Sequence, residues 1–294
     1  MPNPSSVSTS PSGLGDTSSS RSGLGDTTSA VSGLADTSSS VSGLAKTSCA
    51  IDGLADVTTT VDGIVPPITG LLAWWDLDDL TDAYRNNVTL TNNNNTTFVA
   101  GQTGFGNCSN HVAASSQYLS APDNAIFDSL DGSTTMSVTG HFFSNSAANL
   151  AAFMSRWVTG NLQFLTLWND SGRVYFYVSD GTNTGIIYHR NVGNLTWHSF
   201  ACVFDGSLSG TDRMKVYVDG DADDQVEPGA SVIPSTVNSS SQALEIGSYN
   251  NGGTVLMNGN LDSLALWDIA LTQAQVTQLH DGTVKQFADL PEDF

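Results

Sequence analysis

The first 67 residues repeat a unit of ten residues, and this repeat constrains the fold more than any other feature of the chain. From Ser12 the units read SGLGDTSSSR, SGLGDTTSAV, SGLADTSSSV, SGLAKTSCAI and DGLADVTTTV, before DGIVPP. Each unit has a Gly followed by Leu or Ile, and from the second unit onward a β-branched residue closes it. Internal repetition of this kind predicts an array rather than a globular core.

The repeat disfavours a long regular helix. Its apolar residues recur at spacings of three and seven, whereas a coiled coil needs three and four. One Gly in every unit also costs about 1 kcal/mol against Ala in a helix interior. The remaining alternatives are a flexible Ser-rich linker and an extended stalk in which several copies bury one apolar stripe. We favour the stalk, because a linker needs no strict period, and we expect a homo-oligomer, with a trimer as the favoured form.

Residues 68–294 hold every Trp, Tyr and Phe of the chain, and they predict one all-β domain. Short segments with a period of two follow one another, separated by turn residues such as Asp180-Gly181 and Asp219-Gly220. Many short strands at regular spacing favour a two-sheet antiparallel sandwich or jelly roll. Only residues 271–280 look helical, with Thr272 as the N-cap and Gly282 as the stop signal. The predicted strands are 71–77, 135–143, 164–168, 174–178, 186–188, 197–204, 214–218, 243–246 and 261–267.

The charge of the chain excludes several classes of partner. The net charge is −20, and the repeat carries six Asp against Arg21 and Lys46, which leaves −16 on residues 68–294. Such a surface repels nucleic acid and anionic lipid. No apolar run reaches the length of a membrane span, and the first residues lack the pattern of a Sec-type signal peptide. We therefore expect synthesis in a cytoplasm, no nucleic-acid partner and no membrane insertion.

Five sequence blocks, taken in order, resemble the laminin-G-like and concanavalin-A-like jelly-roll domains. Each block alone is weak, but their order and spacing are specific, and they cover nearly all of residues 68–294. Such domains occur in virion fibres as well as in secreted proteins, and a repetitive leader without a signal peptide is more similar to the virion case. The blocks are GLLAWWDLDD from Gly70, QYLSAPD from Gln117, WHSF from Trp197, KVYVDG from Lys215 and GNLDSLALW from Gly259.

The resemblance also implies a calcium ion, and this chain has matching acidic positions. The positions that match are Asp76, in the first block, and Asp262, in the last. Ca²⁺ takes carboxylate and carbonyl oxygens, and one ion held there would tie the first and last strands of the domain together. The alternative is a pair of solvated turn aspartates.

Sugar binding would need aromatic faces and polar groups presented together. The residues of this type outside the expected core are Trp157, Trp168, Tyr188, Tyr249, Asn250 and Asn251. For Trp157 and Trp168 a place in the core is the alternative. Hydrolytic relatives on this sandwich use a Glu-x-Asp-x-x-Glu motif, and no spacing of Glu227, Glu245 and Glu292 matches it. We therefore predict no enzymatic activity.

These observations lead to three hypotheses for the function. The first is a virion fibre or appendage protein whose stalk assembles with other virion or filament proteins through its N-terminus and whose head binds a surface glycan. The second is a capsid or filament decoration protein without a ligand. The third is a polysaccharide hydrolase, which the missing Glu pair disfavours. The first two place the protein in a virion or an extracellular assembly.

Overall fold

The computed structural model describes the chain in two units, Met1–Pro66 and Pro67–Phe294. In the first unit it describes five strands by their backbone, and in the second it describes residues 68–84, 88–145, 150–169, 171–227, 232–253, 255–281, 284–291 and 294. Along the described residues, no helix combines the length and the apolar character that crossing a membrane would require.

The repeat unit contains one strand per ten residues. The strands are β1 (Thr17–Ser22), β2 (Thr27–Ser32), β3 (Thr37–Ser42), β4 (Thr47–Asp52) and β5 (Val57–Asp62). They pair in parallel with their second neighbours, in the order β1-β3-β5 in one sheet and β2-β4 in another. The predicted packing of several copies concerns side chains and turns outside the described residues, so it stays a prediction.

The second unit is built from two antiparallel sheets, as the sequence predicts. Sheet I has the order β18-β17-β16-β11-β21-β9-β8, with β6 also paired to β21, and sheet II has the order β19-β15-β14-β13-β12-β20-β10-β7. The strands are β6 (Leu71–Trp75), β7 (Thr91–Asn93), β8 (Thr97–Ala100), β9 (Asn107–His111), β10 (Tyr118–Ala121), β11 (Thr135–Ser144), β12 (Ala151–Val158), β13 (Asn161–Asn169), β14 (Arg173–Ser179), β15 (Thr184–His189), β16 (Trp197–Asp205), β17 (Met214–Val218), β18 (Asp221–Ala222), β19 (Gln225–Val226), β20 (Leu244–Ile246) and β21 (Gly259–Trp267).

Alternation along the strands separates a core between the sheets from two outer faces. On β14, for example, Val174, Phe176 and Val178 point into the core, whereas Tyr175 and Tyr177 point outward. The core receives large side chains from both sheets, and Trp75, Phe142, Phe153, Phe164 and Trp168 are fully or almost fully buried there. The all-β sandwich predicted from the period-two segments is confirmed.

The outer face of sheet I, called here the covered face, lies under the C-terminal part of the chain. The one α-helix of the described residues, α1 (Gln273–His280), packs Val276 and Leu279 onto it, against Trp74 and Trp267. Thr272 caps this helix, since its side chain accepts a hydrogen bond from the backbone N–H of Gln275 in a capping box. The predicted helix and its N-cap are confirmed, whereas the predicted stop at Gly282 falls outside the described residues.

The outer face of sheet II, called here the open face, has a smaller apolar cluster. Its members come from strands β12 to β15 and from the segment after β20. Strand β12 has bulges between Ala152 and Met154 and between Arg156 and Trp157. Bulges redirect side chains, and here Trp157 packs on the open face against Tyr177, with ring centroids 5.7 Å apart.

Among the described residues, three short 3₁₀ helices lie between strands and a fourth follows helix α1. They are Ala113–Ser115, Phe127–Leu130, Gly210–Arg213 and Phe287–Asp289.

Candidate functional site

A groove of about 250 Å³ runs along the open face. Its lining combines aromatic and aliphatic side chains with a few polar ones, as binding pockets for small molecules do. The lining residues are Leu150, Trp157, Leu165, Leu167, Asn169, Tyr175, Tyr177, Glu227, Tyr249 and Val255.

Aromatic rings form a continuous row beside this groove. The centroids of Tyr175 and Tyr177 lie 5.9 Å apart, and those of Tyr175 and Tyr188 lie 5.1 Å apart. The guanidinium of Arg173 lies 4.3 Å from the ring centroid of Tyr188, at the end of the row. Burial raises the pKa of the Tyr177 hydroxyl to about 12, so this group stays protonated at neutral pH.

A buried carboxylate shapes the turn beside the groove. Glu245 accepts hydrogen bonds from the backbone N–H groups of Asn251 and Gly252, at 2.6 and 2.8 Å, and from the Ser248 hydroxyl at 2.5 Å. Asn250, Asn251 and Gly252 all have φ near +60°, so the turn is tightly wound. These contacts fix the backbone next to Tyr249, a lining residue.

The same turn is tied to the strand that carries Trp157. The backbone N–H of Asn250 donates to the Trp157 carbonyl at 3.0 Å, and its side-chain oxygen accepts from the Thr159 N–H at 3.1 Å. Glu245, the turn and the end of β12 therefore form one connected hydrogen-bonded unit.

The structure brings together most of the residues predicted to bind a ligand. Trp157 and Tyr249 line the groove, and Tyr188 lies on the same face but beneath Arg173. Asn250 and Asn251 form the adjoining turn, where their backbone and Asn250's side chain support the site.

Trp168 requires a correction, because it belongs to the core between the sheets. It is 2 % exposed, since the strand alternation that turns Leu167 to the open face turns Trp168 inward. Trp197 is half-buried and packs against Phe143, with ring centroids 5.8 Å apart.

Sequence reasoning missed Tyr175, Tyr177 and Glu227 as lining residues. The pattern of residues 173–178, RVYFYV, contained the signal, because alternation places both Tyr on one face. For Glu227 no local signal existed, since it reaches the groove through a backbone hydrogen bond from its N–H to the Ile186 carbonyl, 3.1 Å away.

A separate acidic cluster contains the two predicted metal ligands. Burial raises the pKa of Asp262 to about 8, and repulsion from Asp78 and Asp76 adds to this. One oxygen of Asp262, Oδ2, is buried without a hydrogen-bond partner, and a Cβ at Gly101 would lie 2.6 Å from it.

Asp76 and Asp78 are held in place by neighbouring donors. Asp76 Oδ1 accepts from the Trp74 indole N–H at 2.7 Å and from the Phe287 backbone N–H at 2.8 Å. Asp78 accepts from the side chain of Gln286 at 3.0 Å and from the backbone N–H of Asn107.

The donor chemistry of this cluster suits a hard cation such as Ca²⁺. The orphaned oxygen of Asp262 and the repulsion among three carboxylates are the features that a cation would relieve. Within the described part of the chain, however, no group of three or more His, Cys, Asp and Glu side chains is arranged as a metal site. Backbone carbonyls or water would therefore have to complete the coordination.

Under helix α1, a Ser and a His side chain are in contact beside a cavity that is too small for a substrate. The Ser199 hydroxyl and His280 Nδ1 lie 2.7 Å apart, beside a cavity of about 20 Å³ that His141 also lines. This volume corresponds to about one water molecule. The pair fastens the helix to sheet I.

The family of the chain follows from a match over more than half of its length. Residues 112–277 match a laminin-G-type family model that is described as the concanavalin A-like lectin/glucanases superfamily. The chain belongs to this superfamily. The resemblance predicted from the five sequence blocks is thereby confirmed.

Solved structures share the fold of this superfamily member at low sequence identity. One is domain 4 of AbnA, a GH43 extracellular arabinanase from Geobacillus stearothermophilus, in complex with arabinotriose. It is 18 % identical, covers 72 % of this chain and 98 % of its own, and has a TM-score of 0.50. Among curated proteins, none matches this sequence significantly.

Binding domains of botulinum neurotoxins are also similar. The binding domain of neurotoxin DC in complex with SialylT is 11 % identical over 74 % of this chain and 52 % of its own, with a TM-score of 0.53. The binding domain of serotype D/C VPI 5993 is 12 % identical over 74 % of this chain and 53 % of its own, with a TM-score of 0.56. This chain thus spans about half the length of the neurotoxin domains it matches. The superfamily's description names both lectins and glucanases, so membership alone leaves binding and catalysis both open.

Proposed function

We propose that the second unit of this chain is a saccharide-binding module and that the groove of the open face is its site. The observation that supports this is the position of the aromatic side chains that line the groove. Trp157, Tyr177 and Tyr249 line a groove on the one sheet face that the C-terminal helix leaves uncovered. Large apolar patches on a protein surface commonly mark binding sites.

The chemistry of the lining suits a sugar. A sugar ring presents C–H groups on its faces and hydroxyls at its edges, so it needs flat apolar surfaces together with hydrogen-bonding groups. The aromatic rings, Leu165 and Leu167 supply the apolar surfaces, and Asn169 and Glu227 supply the hydrogen-bonding groups.

Substitution of Trp157 by Ala tests the site. On an array of oligosaccharides, Trp157→Ala should lose at least tenfold in affinity, because the groove loses one of its aromatic walls. Trp197→Ala is the matched control, since Trp197 is also half-buried but does not line the groove. Equal binding by both variants, or an array that stays empty for the natural protein, would rule out the proposed site.

For the whole chain we propose a fibre or appendage protein of a virion or another extracellular assembly. The repeat supports this, because an array with one strand per ten residues is suited to a stalk. Self-association, with a trimer as the favoured form, and attachment of the N-terminus to other virion or filament proteins belong to the same proposal. Light scattering tests it: a monomeric full-length chain would favour a decoration protein instead.

We propose binding without catalysis. Hydrolysis of a glycosidic bond normally needs a pair of carboxylates flanking that bond. Among the described residues that line the groove, Glu227 is the sole carboxylate. Release of reducing sugars from a bound polysaccharide, abolished by Glu227→Gln, would overturn this part of the proposal.

Calcium is the proposed cofactor, with Asp262 and Asp76 as side-chain ligands. When bound, the cation would neutralise a cluster whose own residues repel one another. The orphaned Oδ2 of Asp262 would coordinate the cation. The Trp74 indole and the Phe287 backbone N–H would keep Asp76 oriented toward it. Added Ca²⁺ should raise the melting temperature in a titration after EDTA treatment, and Asp262→Asn should abolish this rise.

A further inference from the structure

The groove is asymmetric in charge. Glu227 lines it, whereas the nearest cation, Arg173, lies outside the lining and stacks on Tyr188. The shortest contact between the two charged groups joins Arg173 Nη1 and Glu227 Oε2 at 3.6 Å, and each side chain is about one-third exposed. This distance makes the two groups an ion pair, but among the described lining residues Glu227 is the sole charged one, so the charged group that lines the groove is a carboxylate.

Arg173 is occupied by other contacts. Its Nη1 donates to the Tyr175 hydroxyl at 3.0 Å, and this hydroxyl donates in turn to Glu227 Oε2 at 3.1 Å. The stacking on Tyr188 adds a cation–π contact. Arg173 therefore holds the aromatic row in place, and it orients Glu227 both through Tyr175 and through their ion pair.

Glu227 is held at the groove by its backbone as well as its side chain. Its N–H donates to the Ile186 carbonyl of β15, and Oε2 accepts from Tyr175. A carboxylate fixed in this way offers acceptor sites to hydroxyl groups, and it repels a carboxylate or sulfate that approaches. The net charge of −20 on the chain adds repulsion at longer range.

We propose that the groove selects uncharged saccharides and rejects those that carry carboxylates or sulfates, and that Glu227 is the residue that determines this selectivity. This inference rests on the proposed function, because it concerns the ligand class of the same site. Selectivity of this type depends on a repulsive element as much as on an attractive one. The hydroxyls of a neutral sugar can donate to Glu227, whereas an acidic sugar brings a second negative charge to the same place.

An array with neutral, uronate-containing, sialylated and sulfated oligosaccharides tests the proposal on the full-length chain. The natural protein should bind neutral sugars at least tenfold more tightly than acidic ones at low salt. Glu227→Gln keeps the shape of the side chain and removes its charge, so the ratio should shift toward acidic sugars by tenfold or more. A pronounced dependence of this shift on salt is expected, because screening weakens the repulsion.

Asp212→Asn is the matched control. It removes one negative charge from an exposed 3₁₀ helix that does not line the groove, so the ratio should stay unchanged. An equal shift in both variants would indicate a general effect of net charge and would overturn the role of Glu227.

The other outcomes separate the two proposals. Preferential binding of acidic sugars by the natural protein, with loss of binding in Trp157→Ala, would leave the saccharide site standing and overturn the selectivity. An array on which the natural protein binds nothing would overturn both.

Discussion

The two outer faces of the sandwich start from the same strand pattern and end in different states. Both carry aromatic and aliphatic residues at alternate positions, but helix α1 and the last residues seal the covered face, and the open face keeps a groove. Tyr makes up two of the five buried members of the described open-face cluster, Tyr175 and Tyr188, but only two of the fourteen buried members of the covered-face cluster, where Trp, Leu and Val dominate. A phenol combines an apolar ring with a polar tip, so such a face tolerates water and can exchange it for a ligand.

Under the proposed function, the covered face stabilises the fold and the open face binds the ligand. Substitutions in sheet I should therefore change the free energy of unfolding and leave saccharide binding intact. Substitutions on the open face should lower saccharide affinity and change the free energy of unfolding less.

The largest expected effect is in sheet I, at Asp262. Its pKa is about 8 in the folded protein, against an ordinary value of 3.8, so the folded state binds this proton more tightly than the unfolded state does. The resulting stabilisation is complete below about pH 4 and is lost as the pH rises toward 8. At 1.36 kcal/mol per pH unit, Asp262→Asn should stabilise the metal-free protein at pH 8.5 by up to about 6 kcal/mol.

Urea unfolding in EDTA at pH 5 and pH 8.5 measures this effect. The gain from Asp262→Asn should grow with pH, while saccharide affinity stays unchanged. A gain that is independent of pH would show that the charge of Asp262 is not the cause.

Trp267→Ala should have the next largest effect. Trp267 is fully buried on the covered face, packed against Trp74 and Phe294. Loss of such a side chain costs about 3–5 kcal/mol, whereas Trp157→Ala on the open face should cost about 1 kcal/mol, since Trp157 is only half-buried. Chemical denaturation of both variants compares the two faces directly, and similar losses would remove the distinction.

Acid should destabilise the protein through two buried histidines. Burial lowers the pKa of His111 and of His141 from 6.5 to about 4, so the folded state binds these protons more weakly than the unfolded state does. Stability therefore falls as the pH drops from about 6.5 to 4, by at most about 3 kcal/mol for each residue.

Because protonation of Asp262 acts in the opposite direction over the same interval, this measurement uses the Asp262→Asn background. His141→Phe in that background should remove about half of the acid sensitivity. An unchanged slope of stability against pH between 6.5 and 4 would contradict the assignment.

A small effect on stability is also expected at Glu245. Glu245→Gln places an amide against two backbone N–H donors, so at least one hydrogen bond to a charged acceptor is lost, at a cost of about 1–2 kcal/mol. Because the turn supports Tyr249 and the end of β12, saccharide affinity should fall about tenfold. Ser248→Ala, which leaves both backbone bonds in place, should have little effect on affinity, and equal losses would argue against a role for the turn.

Sequence periodicity predicted the sandwich because every second residue of a strand lies on the same face of its sheet. It predicted nine of the sixteen described strands of sheets I and II, and the longest of the seven that it missed is β12, whose sequence AAFMSRWV includes a charged residue. Arg156 is fully buried there, since its guanidinium donates to Asp123, Gln163 and the carbonyls of Ser240 and Gln242. Asp123, Ser240 and Gln242 lie 33 to 86 residues away in sequence, so no local pattern could indicate that the charge would be satisfied.

The binding groove was predicted only in part for a similar reason. Single aromatic residues such as Trp157 and Trp168 look alike in sequence, and strand alternation and the bulges of β12 send one outward and the other inward. Which outer face stays open depends on where the C-terminal helix packs, and this is a property of the tertiary structure.

The most direct test of the account is an NMR titration of the full-length, ¹⁵N-labelled protein with the tightest-binding neutral oligosaccharide from the array. The tryptophan indole N–H signals report on both faces at once. We expect the signal of Trp157 to shift with the backbone signals of Tyr177 and Tyr249, while Trp74 and Trp267 of the covered face stay unchanged. Shifts at Trp74 and Trp267 without a shift at Trp157 would contradict the assignment of recognition to the open face.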